Sequence, residues 1–380
     1  MLASPLLILT VLSASVVLSE WLVRKTFLRH LGTALVVIIV VAVWANLGLI
    51  PSASQGSVVY DGIFTYLAPL SIFYLLLDVN LASIRRAGAP MLLLFLLGSL
   101  ATAVGVVTGM YVIDGPTQFG AFYPAICGMF TGTYTGGSVN YNAIAIHYGM
   151  MREGILYAGM TAVDNIITAV WMVVTLAVPL LFRRAGNTRE VRVATVEGVE
   201  RSEETVSVLS LGILLAIGFG GLYAAEELTG VFGGWGWSVP SILILTTLAL
   251  VLAQVPALHR LAGGQVLGLF FVYLFLAVIG AYCELAALGQ IGDLAWKLLV
   301  MVVITVTVHG LIVFGAARLL RLDMDTAAVA SQANIGGSSS ALALAKSLDR
   351  MDLYLPGILV GALGTGLGTY LGFLVAGWVT

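Results

Sequence analysis

Charged residues are scarce in this chain of 380 residues, since Asp, Glu, Lys and Arg together make up 9% of it. An ordinary soluble domain carries about 25%. Because a folded soluble protein needs polar surface to face water, this scarcity excludes most soluble enzyme classes. The net charge of −2 has no large basic patch behind it, which disfavours nucleic-acid binding. The two cysteines, Cys127 and Cys283, form neither a CxxC motif nor a disulfide framework, and we interpret them as small buried apolar residues.

Apolar length is what the sequence has instead. Hydrophobic residues make up 60% of the chain, and its mean hydropathy is +1.05. These values predict an all-α polytopic membrane protein. A bilayer core needs about 20 apolar residues per helix. We therefore predict ten spans, at 4–23, 32–50, 62–80, 90–113, 155–182, 206–226, 238–257, 265–284, 294–317 and 354–378.

Two further apolar stretches, 118–149 and 324–348, are interrupted by polar residues. Each either crosses the membrane as a broken helix or enters and leaves on one side as a hairpin. With the N-terminus outside and two hairpins, 15 of the 17 Lys and Arg residues face the cytoplasm, whereas two crossings split them 9 to 8. Lys and Arg are enriched in cytoplasmic loops. We therefore predict hairpins that enter from opposite faces, both termini outside, and a cytoplasmic linker at 183–205.

The two halves of the chain resemble each other at an offset of 200 residues. TYTGGSVNYNAIA begins at Thr133 and ANIGGSSSALALA begins at Ala333. Each half holds five spans, with its hairpin between the fourth and the fifth. Because five is odd, residues 206–380 form a second repeat that is inverted relative to residues 1–182. Inverted repeats with interrupted helices at corresponding positions are typical of secondary transporters.

Both predicted hairpins carry a dense polar run at the turn. Paired glycines permit the turn, and the residue after them lies near the N-cap of the return helix. Such a helix start offers N–H groups and a positive dipole end, which suit a carboxylate. The alternative is that small residues only allow tight helix packing. The predicted solute-binding residues are Thr133, Thr135, Gly136, Gly137, Ser138, Asn140, Asn334, Gly336, Gly337, Ser338, Ser339 and Ser340.

Asp164 is the only carboxylate deep within a predicted span, and a charge at that depth indicates function. Thr161, Asp164 and Thr168 share one helical face, and Asn165 lies four residues after Thr161. We predict that these four residues bind Na⁺, or that Asp164 carries H⁺; the alternative is a structural polar network. No other metal and no cofactor is expected. His309, in a later span, is interpreted as a packed hydrogen-bonding residue, with a proton relay as the alternative.

These motifs resemble a family of bacterial membrane proteins catalogued as domain of unknown function 819. The likeness covers nearly the whole chain and includes GTYTGGSVNYNAIA, the Asp-Asn pair of the fifth span, SQANIGGSSSALALA and LLLDVNLASIRRAG. The family is similar to ion-coupled carriers that include the sodium–glutamate, citrate and bile-acid symporters. The resemblance implies an elevator-type carrier, usually dimeric, with both glycine pairs at the tips. It also implies that 62–182 and 265–378 move against a scaffold of the first two spans of each half.

Together these observations predict a cation-coupled secondary transporter, with Na⁺ favoured. Its solute is small and carboxylate-bearing, such as an amino acid, a dicarboxylate or a small peptide. The protein is expected to act as a homodimer in the lipid bilayer, without catalysis. The alternative is an ion channel or uncoupled facilitator whose pore is lined by the re-entrant tips. An intramembrane enzyme is disfavoured because HExxH, GxSxG and a pair of intramembrane aspartates are all missing from the sequence.

Overall fold

The computed structural model describes residues 4–26, 28, 32–52, 55, 57–79, 81–182, 206–237, 239–258, 261–283 and 292–380. The regular structure of these residues is entirely helical, which confirms the all-α prediction. The predicted linker at 183–205 lies outside the described residues, so its place between the halves stays a prediction.

The helices are numbered along the chain, and whether the two halves form a repeat stays a prediction. The first half contains α1 Pro5–Lys25, α2 Gly32–Asn46, α3 Val58–Gly62, α4 Ala68–Leu76, α5 Ala89–Val112, α6 Gly115–Phe119, α7 Tyr123–Gly136, α8 Ser138–His147 and α9 Gly154–Phe182. The second half contains α10 Val208–Gly234, α11 Ser241–Leu252, α12 Gly264–Ala281, α13 Gly292–Leu319, α14 Met324–Ser347 and α15 Tyr354–Trp378. A π-helical turn, Ile63–Leu67, joins α3 to α4.

A helix lies at each of the ten predicted spans. Among the described residues, eight helical spans are long and apolar enough to cross a bilayer, which confirms a polytopic membrane protein. The two exceptions are α2, with 15 residues, and α11, with 12 residues. At 1.5 Å per residue they reach roughly 22 and 18 Å, against a hydrocarbon core of about 30 Å. The side that each terminus faces stays a prediction.

The distribution of side chains is the one that a lipid environment favours. Large apolar side chains are exposed on the outer helices, among them Leu6, Val17, Val173, Val208 and Leu311. Polar side chains are fully buried inside the bundle, among them Thr131, Asn140, His309, Ser331 and Gln332. Lipid needs no polar surface but cannot satisfy a polar group, so the polar groups gather where they find partners within the protein.

The helices pack in two groups. We call α1–α4 and α10–α12 the frame. Within it, Gly280 of α12 lies so close to α2 that a Cβ there would be 2.4 Å from Ile38 O. A Cβ at Gly268 of α12 would be 2.9 Å from Leu75 Cγ on α4. The hydroxyl of Tyr74 on α4 also donates to Leu214 O of α10, at 3.0 Å.

The second group, which we call the hairpin group, consists of α5, α7–α9 and α13–α15. Its longest contact runs between α5 and α13, where a Cβ at Gly105 would lie 2.7 Å from Thr305 O. The resemblance implied that residues 62–80 and 265–284 belong with the hairpins. The packing instead places α4 and α12 in the frame, because these helices interlock with α2 and α10.

Candidate binding site at the hairpin tips and Asp164

Both interrupted stretches turn at a glycine. Gly137 separates α7 from α8 with φ 108°, and Gly337 interrupts α14 with φ 75°. Residues with a Cβ are strained at such φ values, whereas glycine is not. The departure from helical geometry in α7 begins earlier, at Tyr134, with φ −87° and ψ 18°.

The chain folds back on itself at each turn. In the first hairpin, a Cβ at Gly132 would lie 3.1 Å from Asn140 Cβ, and a Cβ at Gly128 would lie 3.2 Å from Ile144 Cγ2. These pairs move away from the turn together along α7 and α8, so the two helices run antiparallel. In the second hairpin, Ser340 Oγ reaches back across the turn to Gln332 O, at 3.3 Å. The described structure therefore forms a hairpin at 123–147 and another at 324–347.

The two tips meet beside the middle of α15. A Cβ at Gly337 would lie 3.3 Å from Gly136 O of the other tip. On α15, Thr365 Oγ1 donates to Gly136 O at 3.1 Å, and Gly361 packs against the backbone of Ser338.

The hairpins leave this meeting point in opposite directions along α15. The first follows it toward its C-terminal end, where Gly372 packs on Gly128. The second follows it toward its N-terminal end, where Gly357 packs on Val329 and Ala341. The tips therefore come from opposite ends of the helix bundle.

The predicted solute-binding residues differ in how accessible they are. The side chains of Ser138 and Ser339 are exposed at the tips. The residues Gly137, Gly336 and Ser338 are partly buried. The remaining residues of the set are buried, namely Thr133, Thr135, Gly136, Asn140, Asn334, Gly337 and Ser340. The surface that a solute can reach is therefore formed by the two serines and the beginnings of the return helices.

Two predicted solute ligands use their side-chain amides to hold helices together. Asn140 Nδ2 donates to Gly364 O at 3.1 Å, and Asn140 Oδ1 accepts from the N–H of Thr369 at 3.0 Å. Asn334 Nδ2 donates to Phe95 O at 3.0 Å. Its Oδ1 accepts from the hydroxyl of Ser99, at 2.8 Å. These amides position the hairpins in the described structure.

Asp164 faces the first hairpin from α9. The Tyr134 hydroxyl lies beside its carboxyl group, and the Tyr141 hydroxyl lies beside Thr161. Thr161 Oγ1 itself donates to Tyr157 O at 2.9 Å. Within the described residues, Asp164 Oδ1 and the hydroxyls of Tyr134 and Tyr141 are enclosed without a hydrogen-bond partner. The other two members of the predicted cation set are Asn165 and Thr168, both partly buried on α9.

This cluster can hold a small hard cation or a proton. An enclosed polar group without a partner costs about 1–3 kcal/mol, and three such oxygens gather here. Carboxylate and hydroxyl oxygens are ligands that hard cations prefer. In the part of the chain that the structure describes, no group of three or more His, Cys, Asp and Glu side chains is placed to hold a metal ion.

Tyr134 and Tyr141 were not among the cation-site residues predicted from the sequence. Tyr134 and Tyr141 stand three residues before and four residues after Gly137, inside the polar run itself. A bulky phenol among Gly, Ser, Thr and Asn residues was the available signal. The distance along the chain to Asp164 hid the contact, because nothing local to α7 or α8 shows which helix lies opposite.

Apolar helices of bilayer length, lipid-type surfaces and polar groups confined to the interior define a multi-pass integral membrane protein. Over residues 7–380 the chain matches the family described as "Protein of unknown function (DUF819)", and it belongs to that family. It is also similar to the "Uncharacterized membrane protein YjcL" of Bacillus subtilis (strain 168). The two are 27% identical over 362 residues, which cover 88% of this chain and 87% of the relative. The family resemblance is thereby confirmed, while the kinship with ion-coupled carriers stays a prediction.

Proposed function

We propose that this protein is a cation-coupled secondary transporter of a small, carboxylate-bearing solute in the bacterial plasma membrane, and not an enzyme. One observation carries the proposal: two hairpin tips from opposite ends of the bundle meet beside the middle of α15. Broken helices are tolerated at membrane depth only where the backbone is buried in protein or lines a cavity, and paired interruptions of this kind are typical of transporter sites.

The coupling cation, Na⁺ in the first place and H⁺ as the alternative, binds at Asp164. It compensates the carboxylate and draws in the hydroxyls of Tyr134 and Tyr141, which otherwise lack partners among the described residues. Tyr134 is also where α7 departs from helical geometry ahead of Gly137. A cation that fixes the Tyr134 side chain therefore steadies the beginning of the tip.

The solute binds at the exposed tip residues, Ser138 and Ser339. α8 begins at Ser138 and runs for ten residues, so its first N–H groups and its dipole favour an anion. Lys and Arg lie at the ends of the predicted spans or between them, so helix starts, hydroxyls and the bound cation together supply the attraction. An amino acid, a dicarboxylate or a small peptide fits these requirements.

Alternating access follows if the hairpin group moves against the frame, as in an elevator mechanism. Among the described residues, polar contacts between the two groups lie at exposed positions. Examples are the hydrogen bond between Thr247 and Tyr370, at 2.8 Å, and the ion pair between Asp61 and Arg152, at 3.5 Å. The family resemblance implies a homodimer, and a dimer interface on the frame would keep that group fixed in the bilayer.

Thermal unfolding of the purified full-length protein tests the cation site. Wild type, Asp164→Asn and Asp61→Asn are compared in NaCl and in choline chloride. A ligand of the native state at 100 times its Kd stabilises that state by about 2.7 kcal/mol. We expect a Na⁺-specific rise in wild type and in Asp61→Asn, whose carboxyl group lies outside the site, and none in Asp164→Asn. An equal rise of the unfolding midpoint in Asp164→Asn would show that Na⁺ does not bind at Asp164.

Two further measurements distinguish Na⁺ from H⁺ coupling and a carrier from a channel. A wild-type midpoint that ignores Na⁺ but responds to pH only when Asp164 is present would make the coupling ion H⁺. Ion flux into proteoliposomes then distinguishes a carrier from a channel, since a carrier saturates and a channel conducts in proportion to the gradient. Unsaturable flux that needs no second solute would overturn the transporter proposal in favour of a pore lined by the tips.

A further inference from the structure

A chain of buried hydrogen bonds joins the two hairpins through His309 of α13. Trp171 Nε1 of α9 lies 3.0 Å from Ser331 Oγ in the first arm of α14. Ser331 Oγ lies 2.9 Å from His309 Nε2. His309 Nδ1 lies 3.0 Å from Gly98 O and 3.1 Å from Thr102 Oγ1, both on α5.

The donors in this chain can be arranged in one consistent way. The indole N–H of Trp171 and the carbonyl of Gly98 have fixed roles, as donor and acceptor. His309 must therefore carry its proton on Nδ1 to donate toward Gly98 O, which leaves Nε2 to accept from the Ser331 hydroxyl. Ser331 in turn accepts from Trp171. All these side chains are buried, and an unsatisfied member in such surroundings is costly.

This series of hydrogen bonds ends at the tip of the first hairpin. Thr102 Oγ1 donates to Tyr134 O at 2.9 Å. In a continuous helix this carbonyl would accept from the N–H of residue 138, but the turn at Gly137 removes that partner. The same residue, Tyr134, places its side-chain hydroxyl beside Asp164. Tyr134 is therefore held on one side by the cation cluster and on the other by the His309 chain.

We propose that His309 is a positioning residue that links the two hairpins, so that a cation bound at Asp164 also orders the tip of the second hairpin. The path runs from Asp164 through Tyr134, Thr102 and His309 to Ser331. This inference rests on the proposed cation site. Its consequence is that solute meets two ordered tips only when the cation is bound, which is the condition for coupled transport.

A purely structural role for His309 makes a different prediction. Removing one hydrogen bond from the series would then weaken the fold equally with and without the cation. Under the proposal, the loss of that hydrogen bond has its main effect on the response of the second hairpin to Na⁺. The ratio of two measurements on one variant, in Na⁺ and in choline, separates the two roles because a general loss of stability cancels.

Hydrogen exchange of the full-length protein, read by mass spectrometry in NaCl and in choline chloride, measures this ratio. The informative peptides cover 131–147 and 331–347. The variants are Ser331→Ala, which removes the hydrogen bond at the second hairpin, and Thr102→Val, which removes the one at the first. Thr305→Val is the matched control: it lies one turn before His309 on α13, and among the described residues its hydroxyl donates to Met301 of its own helix.

At Na⁺ about ten times Kd, we expect roughly tenfold slower exchange in both peptides of wild type and of Thr305→Val. In Ser331→Ala and Thr102→Val, Na⁺ should still slow exchange about tenfold in peptide 131–147. In peptide 331–347, it should slow exchange by less than about twofold. Equal slowing of both peptides in these variants would overturn the role of His309 but leave the cation site standing. A wild type in which neither peptide responds to Na⁺ would overturn the Na⁺ site and this inference together.

Discussion

Helices α9 and α15 follow the two hairpins at matching positions, residue 154 against residue 354, yet they present different side chains to them. α15 carries glycine where it faces the hairpins, whereas α9 carries larger polar residues at the same offset. The matched pairs are Tyr157 and Gly357, Thr161 and Gly361, Asp164 and Gly364, and Thr168 and Gly368.

The glycines bring α15 into direct backbone contact with the tips. A Cβ at Gly364 would lie 2.1 Å from Thr135 O. On α9 the contacts run through side chains instead, as where the Tyr157 hydroxyl donates to Asn142 Oδ1 at 2.5 Å. One side of the tips is therefore closed by packed backbone, while the other holds polar groups between helix and hairpin. The proposed ion site therefore lies on the α9 side, and α15 is the surface against which the tips pack.

The bases of the hairpins differ as well. At the second, Arg350 contacts Asp323 at 2.8 Å, Asp325 at 3.0 Å and Asp352 at 2.7 Å, which ties both ends of α14 together. At the first, Arg152 reaches Asp61 of the frame at 3.5 Å, and both side chains are exposed. The second hairpin is closed on itself, whereas the first is tied weakly across the boundary between the two groups.

The largest effect is expected where backbone packing closes the tips. Gly364→Ala and Gly136→Ala each place a Cβ within about 2 Å of backbone atoms of the other element, which cannot move aside as a side chain can. We expect a loss of about 3 kcal/mol or more, seen as a lower unfolding midpoint and a smaller yield of monodisperse protein. Gly159→Ala on α9, where no heavy atom lies within 4 Å of the added Cβ, should keep or raise stability. Similar results for all three variants would contradict the close backbone packing between α15 and the tips.

The next effect tests the polar side of the comparison. Tyr134→Phe removes the hydroxyl beside Asp164, which is one of the oxygens that the proposed cation site offers. We expect Na⁺ affinity to fall roughly tenfold, measured as the Na⁺ dependence of the unfolding midpoint. Tyr123→Phe, near the base of the same helix, should leave that dependence unchanged. Unchanged affinity in Tyr134→Phe would remove the phenol from the cation site.

A smaller effect is expected at the base of the second hairpin, where Arg350→Gln should lower stability by about 1 kcal/mol at neutral pH. Hydrogen bonds from Arg350 lower the pKa of Asp352. Burial opposes the charge of Asp323, but hydrogen bonds from Thr326 and Arg350 outweigh it and lower that pKa too.

The pH dependence of this effect follows from those two lowered pKa values. Their contribution is complete above the unfolded-state pKa of about 3.9, and it disappears as the pH falls through the folded-state values. The difference in unfolding midpoint between wild type and Arg350→Gln should therefore hold from neutral pH to about pH 5 and close in more acidic buffer. A difference independent of pH would show that Arg350 acts through packing alone.

The smallest effect is expected at the base of the first hairpin. Arg152→Gln removes a long contact between two exposed side chains, and such pairs contribute less than about 0.5–1 kcal/mol. Its unfolding midpoint should match that of wild type within error at any salt concentration. A loss as large as that of Arg350→Gln would mean that the two bases are held equally firmly.

Local patterns predicted most of the helices and both turns, because run length and paired glycines are properties of neighbouring residues. The predicted spans 62–80 and 238–257 overestimated their helices, which end at Leu76 and cover only Ser241–Leu252. Apolar residues continue past these helix ends, so hydropathy could not locate them. The same limit applied to Asn140 and Asn334, because an amide that holds two helices and an amide that faces a solute look alike in sequence.

By itself, the sequence determined that this is a helical membrane protein with one deep carboxylate and two glycine-centred interruptions, since these features depend on composition and short spacing. Only the tertiary structure decided that the tips meet beside Thr365, that Tyr134 faces Asp164, and that α4 and α12 pack within the frame. These contacts join residues far apart in the chain. They depend on which helix surfaces fit closely together, and that is a property of the packed bundle which no short stretch of sequence encodes.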